Sequence, residues 1–273
     1  MQLVQLQNAR ERFEKQGIAL AAISYDTPEI LKEFSTRQHI AYPLLADPKS
    51  EIIRQYNVFN EKAKGMTAGM AYPGYVFIAP DGTVKELFFE TEYVNRHTAN
   101  HIMARLFPEL IEGAVRPVEA KHIGLNLYQS DAVASLGNVI TLGAEISLDK
   151  EMHVYAPSVQ GYKPIQLDID PSSEYSVKEA KYPEPRIMNL PVIHESVPVF
   201  EGKFRITQEL FFSSDRAFMQ SVGQGKTVTV HGNLKYQACD QKICYEPETL
   251  PVSWEVHMVP IDLTRSPEAI RHK

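Results

Sequence analysis

From residue 1 to about residue 112, apolar positions recur at helical spacing and alternate with short apolar runs. Leu3, Leu6, Ala9, Arg10 and Phe13 fall at helical spacing, and Gly17 supplies a stop. Residues 18–24 form an apolar run that reads as a short strand buried on both faces. Asp26-Thr-Pro-Glu opens a second helix with a capping residue and Pro28 in the first turn, and Ile30, Leu31 and Phe34 give that helix its apolar face. Residues 42–48 read as a strand edge and turn, and residues 50–56 as a short helix. Residues 75–79 and 83–89 flank Pro80-Asp-Gly82, a strong hairpin signal, and residues 94–106 close the region as a helix. Strands alternating with helices predict an α/β sheet.

The grammar changes after a seam at residues 113–121, where Gly113-Ala-Val-Arg-Pro117 breaks the pattern. Beyond it the helical period disappears. Residues 139–148, 153–155, 165–169, 203–212, 227–236 and 252–259 read as strands separated by Pro, Gly and Ser turns. Many short strands of this kind predict an antiparallel sandwich. The fold class expected is therefore α/β plus all-β, with domains at 1–112 and 120–262; two domains also suit a chain of 273 residues. The last eleven residues, from Leu263, read as a frayed tail.

Composition narrows the function classes. The chain is 44% hydrophobic and 23% charged, ordinary for a globular protein. Its net charge of −6 comes with no Lys/Arg-rich run, which argues against a nucleic-acid partner. No apolar run reaches eighteen residues, so no helical membrane insertion is expected. The first residues lack the basic and apolar regions of a signal peptide and read instead as the middle of an amphipathic helix, with no cap before it.

The candidate chemistry is Cys239-Asp-Gln-Lys-Ile-Cys244, the only two cysteines in the chain. Strand-like runs precede and follow the pair, and the polar residues between can turn the chain so that the thiols face each other. Bridging needs Cβ atoms within about 3.5–4.5 Å, which opposed strand positions reach or nearly reach. Four readings stay open on spacing alone: an inert hairpin staple, a thiol–disulfide exchange site, a metal site, or a coincidental spacing. The metal site is disfavoured because zinc usually takes four Cys/His ligands and no second cysteine pair exists. Asp240 should raise a neighbouring thiol's pKa and Lys242 should lower it. Pro247 fixes the turn after Cys244. Two further groupings carry weaker signals. His97 and His101 stand one helical turn apart without an evident third ligand. Ser213-Ser214-Asp215 with His231 lacks the nucleophile elbow of a hydrolase.

The first half resembles the redoxin branch of the thioredoxin superfamily, the AhpC/TSA-type peroxiredoxin-like and thiol-reductase-like proteins. The residues that carry the likeness are Ile23-Ser-Tyr-Asp-Thr-Pro-Glu, Tyr42-Pro-Leu-Leu-Ala-Asp-Pro, Tyr72-Pro-Gly-Tyr-Val-Phe-Ile and Ala79-Pro-Asp-Gly82. The resemblance implies that Pro73 is the family's cis-proline facing the redox site. It also implies a first core strand and a cysteine motif ahead of the helix that begins this chain. No cysteine precedes Cys239, so this half is expected to be a truncated thioredoxin-fold domain that does no thiol chemistry as it stands.

The second half resembles the N-terminal domain of the thiol:disulfide interchange protein DsbD, an immunoglobulin-like sandwich. Tyr236-Gln-Ala-Cys239 and Cys244-Tyr-Glu-Pro-Glu-Thr carry the likeness, with Met152-His-Val-Tyr155 and Tyr182-Pro-Glu-Pro185 upstream. The loop between the cysteines is one residue shorter than in the best-known member. The resemblance makes Cys239 and Cys244 the catalytic pair. It places residues 197–203 in a cap loop, with Phe200 the aromatic over the disulfide and Tyr155 and Tyr236 lining the site. It implies thioredoxin-fold or membrane thiol–disulfide exchange partners, an extracytoplasmic (periplasmic) location, and no cofactor or metal. The rival functions are a non-catalytic binding module with a structural disulfide and a fragment of a peroxiredoxin-type peroxidase.

Overall fold

The computed structural model describes residues 2–90, 95–110, 115–190, 195–261, 264 and 267–270. Val94 of the expected fourth helix, residue 112 at the first domain's end, Gly113 of the seam, and residues 262 and 263 lie outside the described residues. The chain falls into two compact units, Met1–Leu106 with Ile261–Lys273, and Phe107–Pro260.

The first unit is α/β. Its opening helix, Gln2–Lys15, buries Leu6, Ala9 and Phe13 along one face. Gly17 ends it at φ +73°, a conformation that costs glycine little, and its N–H donates to the Glu14 carbonyl at 2.9 Å. The strand Ala22–Ser24 runs parallel to Leu44–Ala46. Between them the helix Pro28–Arg37 is capped by Thr27, whose side chain accepts from the Ile30 N–H, with Pro28 at its first turn. The buried Asp47 starts the helix Glu51–Gln55 by accepting from the N–H groups of Glu51 and Ile53, each at 2.9 Å. The strands Gly74–Ile78 and Val84–Phe89 form the expected hairpin, with Gly82 at φ +83° in its turn. The helix Ala99–Leu106 follows, five residues later than the sequence pattern begins.

Two expectations fail in this unit. The strand expected over residues 18–24 shortens to three residues, and Ile23 is 40% exposed rather than buried. Among the described residues it pairs on one edge only, with Leu44–Ala46, and Ala22 and Ser24 on its other face are only partly buried. The Tyr72–Pro73 bond is trans, correcting the cis assignment of Pro73. The Tyr72 N–H is held by the Val58 carbonyl at 2.7 Å, and the chain runs on directly into the strand from Gly74. A trans bond, favoured by about 0.5–1 kcal/mol even before proline, continues that path. A measurable consequence of the short pairing is early exchange: amide protons of Ala22–Ser24 should exchange well before those of Thr227–Tyr236. Equal protection in both strands would mean that the open edge is covered.

The second unit is a β-sandwich. One sheet has the order Gln166–Ile169, Thr227–Tyr236, Glu248–Met258, Val133–Ala134. A second runs Tyr175–Val177, Lys203–Phe212, Asn138–Ser147, Gly124–Gln129, Arg116–Val118. Alternation with period two sorts the side chains of Thr227–Tyr236. Val228, Val230, Leu234 and Tyr236 turn inward, while Thr227, Thr229, His231 and Lys235 face out. They share one core with Leu142, Ala144 and Ile146 of the second sheet, and with Trp254 and Val256.

A third, four-stranded sheet carries the site: Arg186–Leu190, Glu195–Glu201, His153–Tyr155, Ala238–Cys239. This corrects the cap-loop expectation, because residues 197–201 are strand. Pro198 can sit in it because its missing N–H is not needed and its carbonyl accepts from Ala156 at 3.0 Å. The sequence pattern also missed a helix, Arg216–Val222. Asp215 caps it by accepting from the Phe218 N–H at 2.8 Å, and the Ser213 hydroxyl donates to the same carboxylate at 2.7 Å. The Ser–Asp–His grouping is therefore a helix cap, and His231 lies in a strand opposite Ser253.

Candidate functional site

The long hairpin of Thr227–Tyr236 and Glu248–Met258 closes at the pair Tyr236↔Glu248. Beyond that pair the chain changes sheets: Ala238 and Cys239 align with Val154 and His153. A small turn then reverses it. The Asp240 N–H donates to the Ile243 carbonyl at 2.9 Å, and the Tyr245 N–H to the Ala238 carbonyl at 2.9 Å. These bonds oppose Cys239 and Cys244 across a β-bridge, and the two sulfurs are joined as a disulfide at 2.01 Å.

Asp240 builds the turn. Its Oδ1 accepts from the N–H groups of Lys242 and Ile243, at 2.7 and 2.8 Å, and its Oδ2 accepts from the Tyr245 hydroxyl at 3.2 Å. The backbone donors of Ile243 and Lys242, in that order, hold its carboxyl below the usual carboxylate range. The Tyr245 ring stacks on His122 with centroids 3.8 Å apart, and its carbonyl accepts from the Gln237 side chain at 2.9 Å. Lys242 is exposed.

The two sulfurs see different surroundings. Cys239 is 1% exposed and packs with Tyr155, Val197 and Val199, with Val159, Tyr162 and Met188 against that cluster. Cys244 is exposed, as is its neighbour Ile243. The Tyr155 hydroxyl lies 3.8 Å from Cys244 Sγ. Burial and then Glu195 raise the Tyr155 pKa, which keeps the phenol protonated. Tyr162 stacks on Tyr155 at 4.4 Å and donates its hydroxyl to Glu195 at 2.5 Å. That bond, ahead of burial, has the Tyr162 pKa pushed up to about 12.

Two expected lining residues are elsewhere. Phe200 pairs with Val154, and strand alternation turns both away from the face that carries Tyr155, Val199 and Cys239. Its ring lies in the main core, against Phe204 at 4.7 Å and Tyr182 at 6.3 Å. Tyr236 is also a core residue, for the same reason of strand parity, and its hydroxyl donates to the Lys121 carbonyl at 2.9 Å. The aromatic pair at the site is Tyr155 with Tyr162. Tyr162 carries no strand signal in the sequence. His153, in the strand read over residues 153–155, is brought directly opposite Cys239; the i, i+2 spacing puts it on the same face as Tyr155.

His97 and His101, in the other unit, stack on each other with centroids 4.9 Å apart, and His97 Nε2 is 3.3 Å from Glu90 Oε1. Among the described residues no cluster of three or more His, Cys, Asp or Glu side chains could hold a metal. No helix among them is long and apolar enough to cross a membrane.

A cross-link that closes so short a loop contributes only about 2 kcal/mol in the chain-entropy model. The core beside it holds 31 buried hydrophobic residues, so the unit is expected to stay folded on reduction.

Comparison with known proteins agrees with this division of the chain. Residues 1–87 match the profile of the AhpC/TSA family, and residues 126–253 that of the thiol:disulfide interchange protein DsbD, N-terminal. Peroxiredoxin Bcp of Escherichia coli (strain K12) is 27% identical over 96 residues, which are 34% of this chain and 60% of the relative. The chain thus spans 60% of the length of that curated relative. Among solved structures, the N-terminal periplasmic domain of ScsB from Proteus mirabilis aligns with a TM-score of 0.35 and 12% identity, over 53% of this chain and 51% of that one. The Neisseria meningitidis DsbD N-terminal domain in the reduced form aligns with a TM-score of 0.30 and 15% identity, over 56% of this chain and 97% of that one. The chain is thus similar to the AhpC/TSA family over residues 1–87 and to the DsbD N-terminal family over residues 126–253.

Proposed function

We propose that Cys239 and Cys244 are an exchange-active pair through which the chain passes electrons to or from another thiol–disulfide protein. The observation that carries this reading is the asymmetry across one disulfide, an exposed Cys244 bonded to a buried Cys239. Exchange requires a thiolate to reach one sulfur while the other leaves. A partner thiolate attacks Cys244 Sγ, forming a mixed disulfide. The Cys239–Cys244 bond breaks, and Cys239 departs with the bonding electron pair. A second partner thiolate, attacking its own sulfur in the mixed disulfide, releases Cys244 and completes the two-electron reduction. In the reverse direction Cys244 attacks the partner's disulfide and Cys239 resolves the mixed disulfide.

The partners proposed are thioredoxin-fold or membrane thiol–disulfide proteins, and the compartment is extracytoplasmic, where such disulfides persist. Residues 1–112 contain no cysteine, so a peroxidase reading has no thiol of that segment to act through. A static staple, another rival, needs no accessible sulfur, so the exposure of Cys244 favours exchange over it. Brief exposure of the oxidised chain to a small thiol, followed by acid quench and mass spectrometry, tests the assignment. The adduct is expected on Cys244; an adduct on Cys239 would reverse the roles.

A further inference from the structure

His153 is a buried titratable group beside the disulfide that neither the turn nor the core uses. It lies opposite Cys239 in the antiparallel register, so the two side chains leave the same face of the sheet. It is 3% exposed, and neither ring nitrogen has a hydrogen-bond partner among the described residues. A buried polar group left unpaired carries a desolvation cost on the order of 1–3 kcal/mol, so such groups usually mark an unfilled role. Its ring meets that of Tyr155 edge to face at 5.5 Å, and the Tyr155 hydroxyl in turn contacts Cys244.

The charged and titratable groups around it come from each neighbouring strand. Glu201 stands opposite it on Glu195–Glu201 and is shared with Arg186, whose Nη1 is 2.9 Å from Glu201 Oε2. On the other side are Cys239 and then Asp240, and Tyr155 is on its own strand. Burial, ahead of the opposing pull of Glu201 and Asp240, lowers the His153 pKa. The imidazole is therefore neutral beside the intact disulfide at neutral pH.

Resting on the exchange reading above, we propose that His153 is the charge partner of the leaving group, taking up a proton as Cys239 becomes a thiolate. Cys239 is too buried for water to solvate an anion well, and an uncompensated thiolate there would be held back by desolvation. When the partner's thiolate attacks Cys244, the Cys239–Cys244 bond breaks and its electron pair stays on Cys239. The proton that the partner thiol lost on ionising returns from solvent to the imidazole. The product is a Cys239 thiolate beside an imidazolium, with no further oxidant or reductant required. The unpaired nitrogens of the oxidised state thus acquire a partner only in the reduced state.

The test compares the oxidised full chain with the chain reduced by excess dithiothreitol. Imidazole titrations are followed by NMR, and His153→Gln identifies the resonance. The His153 midpoint should rise by about 1 pH unit or more on reduction, because a thiolate appears beside it. In the Cys244→Ser chain, adding His153→Gln should raise the Cys239 thiolate midpoint, read by ultraviolet absorbance, by a comparable amount. An identical His153 midpoint in the two redox states overturns the proposal; should His153→Gln fail to fold, nuclear Overhauser contacts to Tyr155 assign the resonance in the wild type. The glutathione equilibrium of the wild-type chain is measured in parallel. A disulfide that resists glutathione while the His153 midpoint moves removes the exchange reading alone. Ready exchange with a fixed midpoint removes this proposal alone.

Discussion

Replacing Cys244 with serine should abolish disulfide exchange and leave a thiol that scarcely reacts, whereas replacing Cys239 should leave a chain that reacts once and stays trapped. The difference follows from burial. In Cys244→Ser the remaining sulfur is Cys239, 1% exposed and enclosed by Tyr155, Val197 and Val199. A thiol buried this deeply is a poor attacker whatever its ionisation, because access for a partner's disulfide is closed. In Cys239→Ser the exposed Cys244 still attacks a partner's disulfide, but no second thiol resolves the product. Incubating each variant with a model disulfide and weighing the products distinguishes them. A persistent adduct is expected on Cys239→Ser and almost none on Cys244→Ser. Equal adduct formation by both would show that burial does not order the two sulfurs.

Phe212→Ala should be the most damaging single change in the sandwich, costing about 3–5 kcal/mol. Phe212 is 2% exposed, in the core that joins the sheets, and stands opposite Tyr175 at the end of the strand Lys203–Phe212. Removing its ring deletes buried area and leaves a cavity walled by strands whose backbone pairing limits collapse. The cost approaches the whole stability of a typical domain, about 5–15 kcal/mol. Urea titration followed by Trp254 fluorescence reads it, since Trp254 belongs to the same core. A loss under about 1 kcal/mol would mean that the site collapses around the missing ring.

Much of this architecture is legible in the residue pattern, and the failures have physical causes. Residues 227–236 alternate apolar and polar positions strictly enough for their strand to be read to the residue, whereas in 203–212 the alternation holds only to Ile206 and gives way to a continuously buried run from Gln208. The Pro80-Asp-Gly82 turn and the Cys239–Cys244 reversal are equally plain, because turn chemistry is local. The helix Arg216–Val222 is short, and its signals, a capping Asp215 and inward Phe218 and Val222, resemble a catalytic grouping when read without the backbone. The cap loop over residues 197–203 and the covering role of Phe200 rest on the family likeness alone, and no residue spacing in that stretch reveals which face Phe200 takes. Strand parity then decided the lining: Tyr155 is two residues from His153 and faces the sulfurs, whereas Phe200 and Tyr236 fall on core positions. Tyr162 reaches the site through an irregular segment whose path no periodicity encodes.

On the exchange reading, a disulfide that joins a buried to an exposed sulfur over a short loop is poised to exchange rather than to hold the domain together. Equilibrating the chain in glutathione buffers of known ratio, and quantifying the Cys239–Cys244 disulfide by alkylation and mass, tests it most directly. Exchange activity predicts a reduction potential above about −300 mV, within reach of other thiol–disulfide proteins. A potential below about −300 mV, with the pair still oxidised in strongly reducing buffer, would make it a structural staple and contradict the account.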